Sequence, residues 1–157
     1  MATETCLICE RIQLWREGRS PYLIHEFEHS LFVVGDHQFH PGYSLVLLKE
    51  HVRELHDLAP AVQSALFREV MVATKTLVHI FHPWKMNHAC YGNAEPHVHW
   101  HLFPRYDTLP DHQRNPWLQS DEFHAHQIDA ASAQALASRL RRGLQEVLTG
   151  LADEEGV

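Results

Sequence analysis

The stretch His97-Val98-His99-Trp100-His101-Leu102-Phe103 decides how this chain is read. In a β-strand side chains alternate, so His97, His99 and His101 share one face, while Val98, Trp100 and Leu102 share the other and can pack on helices. Same-face neighbours in such a row stand about 7 Å apart. Imidazoles buried in a row without partners are costly. Three explanations fit: a solvated strand face, strand-borne metal ligands, or nucleophilic chemistry at phosphorus. In the third, an imidazole whose other nitrogen is hydrogen-bonded attacks, and its neighbours hold the phosphoryl oxygens.

Outward from this stretch, YLIHEF (22–27), SLFVV (30–34), YSLVLL (43–48) and KMNHACY (85–91) read as further strands, with turns at 35–42 and at Gly92-Asn93. YSLVLL is nearly all apolar, the pattern of a strand buried on both faces. Residues 58–82 change to a helical period, with Val62, Leu66, Val70, Ala73, Leu77 and Ile80 on one stripe. Pro60 suits the first turn of that helix and Pro83 stops it. A C-terminal helix is predicted over about 130–149, capped by Asp129, with Leu136, Leu140, Leu144 and Val147 on one face and Gly150 at its end, before an acidic tail. Residues 104–128 show no period, and long irregular segments in compact domains are often functional. The prediction is an α+β fold: one antiparallel sheet with helices on one side, and no internal repeat.

The length, 157 residues, suits a single domain spanning 1–157. Its 15 His outnumber its 13 Lys and Arg, and its formal net charge is −7. An acidic chain lacks the cationic surface that general nucleic-acid binding requires. No apolar run approaches the ~20 residues that cross a bilayer, and the first residues lack the apolar core of a signal peptide. The expectation is a cytoplasmic protein with no nucleic-acid or membrane partner.

Cys6-Leu7-Ile8-Cys9 has the spacing of half a zinc site. A redox CxxC needs a strand before it, for which position 6 leaves no room. A coincidental pair of free thiols is the remaining alternative. Cys90 has no partner in sequence and reads as a small buried hydrophobe.

The triad stretch, followed by Pro104-Arg105, resembles the signature H-φ-H-φ-H-φ-φ of the histidine triad (HIT) family. Pro41-Gly42-Tyr43-Ser44-Leu45-Val46-Leu47-Leu48-Lys49-Glu50-His51 resembles that family's P-G-H-x-L-φ-φ-P-K-x-H stretch. Asn87 and Gly92-Asn93 resemble the turn that precedes its triad. The likeness covers residues 6–105. It implies a HIT-like fold: a five-stranded antiparallel sheet with a long helix and a C-terminal helix. It also implies a nucleotide hydrolase similar to the diadenosine polyphosphate hydrolases, with a nucleotide or dinucleoside polyphosphate as substrate, and a homodimer. His99 carries over as the nucleophile that attacks the α-phosphorus, and His101 as a contact to the α-phosphate. Asn93 stands where the family usually has a Gln that binds phosphates and leaving group, and is one methylene shorter. Ala94 replaces a frequent Ser or Thr.

Arg105 and Arg114 are candidate phosphate contacts, since Arg suits bidentate phosphate binding. Trp15 and Trp117 offer either base stacking or packing. In several HIT branches an N-terminal CxxC joins the K-x-H histidine and the first triad histidine around zinc. Carried over, the ligands are Cys6, Cys9, His51 and His97, a closed Cys2His2 set holding one structural Zn2+ per chain. A divalent cation accompanying the substrate phosphates is a further expectation. The alternatives are a nucleoside phosphoramidate or adenylyl-amine hydrolase, and a zinc-stabilised nucleotide-binding module with little catalysis.

Overall fold

The computed structural model of the chain describes residues 6–109 and 112–155. The first five residues of the N-terminal stretch and the last two of the acidic tail lie outside the described residues. Five strands form one sheet: β1 (Leu23–Glu26), β2 (Ser30–Val34), β3 (Ser44–Leu48), β4 (Lys85–Ala89) and β5 (His99–Arg105). Their order is β1-β2-β3-β5-β4 and every neighbouring pair is antiparallel. The expected α+β class and five-stranded sheet are what the chain forms. β3 is buried at every position, as its nearly continuous apolar run predicts.

Two helices cover one face. Helix α2 (Pro60–Phe81) starts with Pro60 in its first turn and ends where His82 turns to a left-handed φ of 47° ahead of Pro83. Its Leu66, Val70, Ala73 and Leu77 pack with Leu140 of α3 (Ala130–Glu155) on Phe32, Val34, Val46, Val98 and Leu102. The alternation around the triad thus holds: Val98, Trp100 and Leu102 face the helices.

Three expectations are corrected. First, a further helix lies on the other face of the sheet. Cys6 is the N-cap of a helix, α1 (Leu7–Arg16), and its sulfur accepts from the Cys9 amide at 3.5 Å. Helix α1 lies on the face opposite α2 and α3, so the helices are not all on one side. Its Ile8 and Ile12 pack on Leu31, Val33, Leu45, Leu47 and Phe103. These are the alternate residues of β2, β3 and β5, on the face that carries the triad.

Second, β5 begins at His99 rather than His97 and runs on to Arg105. The Val98 amide bonds the Val52 carbonyl at 2.8 Å, which takes 97–98 out of the regular ladder. Third, α3 does not stop at Gly150 but continues to Glu155. Gly150 lacks the positive φ of a helix-ending glycine, and a side chain there would meet nothing within 4 Å. A helical glycine costs only about 1 kcal/mol against alanine, so the helix passes through. Asp129 caps α3 as predicted, its Oδ1 accepting from the Ser132 amide at 2.7 Å.

After Tyr106 the irregular segment forms two short 3-10 turns, Pro116–Glu122 and His124–His126. They bring Trp117 and Phe123 over Phe103. Among the described residues no helix is long and apolar enough to cross a membrane.

Candidate functional site: the triad pocket and a Cys2His2 cluster

The three triad histidines divide between two neighbouring sites. His97 is fully buried and turns its ring toward α1. Its Nδ1 lies 3.4 Å from Cys6 Sγ and 3.5 Å from Cys9 Sγ, and His51 Nδ1 lies 3.2 Å from Cys9 Sγ. The four donor atoms all fall within 4.8 Å of one another. A tetrahedral ion with Zn–S and Zn–N bonds of ordinary length has S···N edges of about 3.6 Å, so the cluster is sized for zinc.

The donor chemistry agrees. His97 Nε2 donates to the Leu48 carbonyl at 2.7 Å, which leaves the Nδ1 lone pair for a metal. Burial, and then the adjacent Cys6 thiol, push the Cys9 thiol up to about 11; a dication between the two sulfurs would relieve that repulsion. Cys6, Cys9, His51 and His97 can therefore hold a zinc ion. A closed four-ligand set is structural, since it leaves no position for substrate.

His99 and His101 face a different space. Their rings meet edge to face with centroids 4.8 Å apart. They line a pocket of about 160 Å³ with Leu7, Ile8 and Arg11 of α1, Tyr43 and Leu45 at the start of β3, and Asp36, His37 and Glu95. His99 Nδ1 lies 2.6 Å from the His97 carbonyl oxygen. An imidazole nitrogen facing a carbonyl must carry the proton, so Nε2 of His99 holds a lone pair. That Nε2 has no hydrogen-bond partner among the described residues and is not sealed off as a buried orphan. Tyr43 Oη lies 2.7 Å from His101 Nδ1. Burial, and then the neighbouring His99, push His101 down to about 3, so its ring is neutral at physiological pH.

Helix α1 is a wall of this pocket and is fixed at several points. The Glu95 carboxylate accepts from the Leu7 amide at 3.0 Å. Arg11 forms a two-pronged ion pair with Asp36, with Nη1 2.6 Å from Oδ1. A second cavity of about 260 Å³ shares Leu7, Arg11 and Leu47 with the triad pocket and continues under α1 between Trp15, Tyr22, Leu31 and Val33. Its lining is mostly apolar and includes the aromatic rings of Trp15 and Tyr22.

The predicted phosphate contacts Asn93, Arg105 and Arg114 lie outside this pair of sites. Asn93 is exposed on the turn between β4 and β5. Arg105 is buried at the far end of β5 and donates to Asn87 Oδ1 at 3.1 Å and to the Arg114 carbonyl at 2.7 Å. With His40 and Arg114 it lines a separate cavity of about 560 Å³. Trp117 sets its ring edge-on to His101 at 4.9 Å. Sequence reasoning missed Tyr43, Arg11, Asp36 and Glu95. Tyr43, at the histidine position of the P-G-H-x-L stretch, and Glu95, two residues before His97, carried positional hints; Arg11 and Asp36 carried none.

A family model for the HIT domain matches residues 20–108. No curated protein matches the chain. Among solved structures, a histidine triad protein from Bradyrhizobium japonicum is 25% identical, with a TM-score of 0.66 over 78% of this chain and 89% of that one. A Zn-bound histidine triad family protein from Mycobacterium smegmatis is 22% identical, with a TM-score of 0.64 over 93% and 97% of the two chains. A hypothetical histidine triad nucleotide-binding protein from Sulfolobus tokodaii superposes with a TM-score of 0.67 at 13% identity, over 88% and 93%. The matched segment takes in β1 to β5 and the whole triad, more than half of the chain, and the chain belongs to the HIT domain family.

Proposed function

We propose that the chain is a nucleotide hydrolase that cleaves the α-phosphate linkage of a dinucleoside polyphosphate or related nucleotide through a nucleotidyl-histidine intermediate. The observation that carries this reading is the hydrogen bond between His99 Nδ1 and the His97 carbonyl, which leaves the Nε2 lone pair open to the pocket. In the first half-reaction Nε2 attacks the α-phosphorus, a P–N bond forms, and the P–O bond to the leaving polyphosphate breaks. In the second, water attacks the same phosphorus, the P–N bond breaks, and the nucleoside monophosphate leaves.

A neutral His101 beside His99 donates to an α-phosphate oxygen and stabilises charge as it develops there. The apolar cavity under α1 takes the base. Asn93, exposed on the turn that leads into the triad, and Arg105, in the neighbouring larger cavity, are the further phosphate contacts of this reading. One structural zinc per chain, bound by Cys6, Cys9, His51 and His97, holds α1 as a wall of the pocket. A divalent cation accompanies the polyphosphate, and two chains associate as a homodimer.

The test is turnover of a panel of diadenosine polyphosphates and adenosine 5′-phosphoramidate by wild-type protein and His99→Ala. Hydrolysis by the wild type that is lost in a folded His99→Ala variant supports the reading. Equal rates in the two proteins contradict it. Cleavage of the phosphoramidate alone would move the substrate class to the P–N-bonded nucleotides.

A further inference from the structure

We propose that Tyr43 is a positioning residue: its phenol donates to His101 Nδ1 and so holds that imidazole as the Nε2–H tautomer, presenting a donor to the phosphoryl group. The inference rests on the reading of His101 as a phosphate contact and assigns what makes it a donor.

Proton accounting carries the assignment. Tyr43 is only 5% exposed, and among the described residues its hydroxyl has one hydrogen-bond partner, His101 Nδ1 at 2.7 Å. Were Nδ1 the donor, the phenolic proton would have no acceptor among the described residues, and the pair would lose the one arrangement in which both groups keep a partner. The phenol must therefore donate, and the ring proton of neutral His101 must sit on Nε2. That Nε2 has no partner among the described residues and is not sealed off.

The seat of Tyr43 is built for this contact. Its ring stacks between His37, at 4.4 Å, and Phe103, at 4.6 Å, and lies within 5° of parallel to His101. Gly35 makes the room: a Cβ there would lie 2.1 Å from Tyr43 Cδ1. Burial holds the phenol far above its ordinary value and keeps His101 neutral, so one proton stays shared between them across the working pH range. In the sequence, Tyr43 replaces the histidine of the P-G-H-x-L pattern, which makes Tyr43→His the natural restoring variant.

The experiment is long-range 1H–15N NMR of the histidine side chains in the full chain without substrate, for wild type, Tyr43→Phe and Tyr43→His, combined with steady-state kinetics on the nucleotide panel. Expected are a pure Nε2–H tautomer at His101 in the wild type, a mixture of tautomers in Tyr43→Phe, and a fall in kcat of about ten-fold at nearly constant KM, the worth of one hydrogen bond. Tyr43→His restores both if its own N–H reaches Nδ1. A wild-type His101 protonated at Nδ1, or a Tyr43→Phe variant with unchanged tautomer and kcat, overturns the assignment. Should the wild type hydrolyse no nucleotide, the hydrolase reading falls, while the tautomer measurement still decides the role of Tyr43.

Discussion

The carbonyl oxygen of His97 lies 2.6 Å from Nδ1 of His99. One residue thus serves both sites: the ring of His97 belongs to the Cys2His2 cluster, and its backbone fixes the proton of the adjacent histidine. His97 is held in turn by the Leu48 carbonyl at its Nε2. A shift of His97 would move the acceptor that keeps the lone pair of His99 directed into the pocket.

The first expected consequence concerns zinc. Metal analysis of purified protein should give about one zinc per chain, falling toward none in Cys6→Ser or Cys9→Ser and unchanged in Cys90→Ser. Cys90 is half-buried and is not among the four clustered donors. The two ligand variants should also show faster amide exchange across Leu7–Arg16, because the cluster ties the first turn of α1 to His51 and His97. Several exchangeable ions per chain would instead indicate binding by the other histidines.

A second consequence is a stability that falls in mild acid. Burial pushes His37 and His40 down to about 4 and His101 to about 3. Unfolding returns each to its ordinary value near 6.5, so between about pH 4 and 6.5 the unfolded chain binds more protons and stability rises with pH. Each histidine contributes a slope of at most about 1.4 kcal/mol per pH unit in that window. Denaturant midpoints from pH 4.5 to 8, in wild type and in His40→Phe, check this. The variant should have the shallower slope below pH 6.5, and identical slopes would count against it.

Third, Gly35→Ala should be destabilising out of proportion to its size. The new methyl would overlap the ring of Tyr43, which is wedged between His37 and Phe103 and cannot retreat. Overpacking of this kind costs about 2–3 kcal/mol, or a Tm lower by roughly 5–10 °C in a domain of this size. Thermal unfolding reads it directly. Gly18→Ala tests a different strain, since Gly18 has a positive φ but open space around it, and should cost less.

Much of this arrangement was legible in the chain itself. Period-two and apolar runs marked all five strands, and the stripe from Val62 to Ile80 marked α2, because both elements bury one regular face. The spacing of the triad and of Cys6-Cys9 pointed to the residues that cluster. Helix α1 was not legible because its N-cap is a cysteine, whose weakly accepting sulfur is an unusual cap, and because its short apolar stripe of Ile8, Ile12 and Trp15 begins inside the CxxC. Gly150 misled because glycine ends a helix only where the backbone turns left-handed, and here it does not. Arg11 and Asp36 reach the pocket through a contact between residues 25 positions apart, which no local pattern encodes, and Tyr43, although it stands inside a quoted motif stretch, meets His101 across 58 positions.

The central claim is the covalent step at His99. Wild-type protein mixed with a diadenosine polyphosphate, quenched within the turnover time, digested and analysed by mass spectrometry should carry a single AMP group on the peptide containing His99. The group should sit on His99 itself and be absent in His99→Ala. Product formation at wild-type rate with no adduct on any histidine, or an adduct on His101 instead, would contradict it.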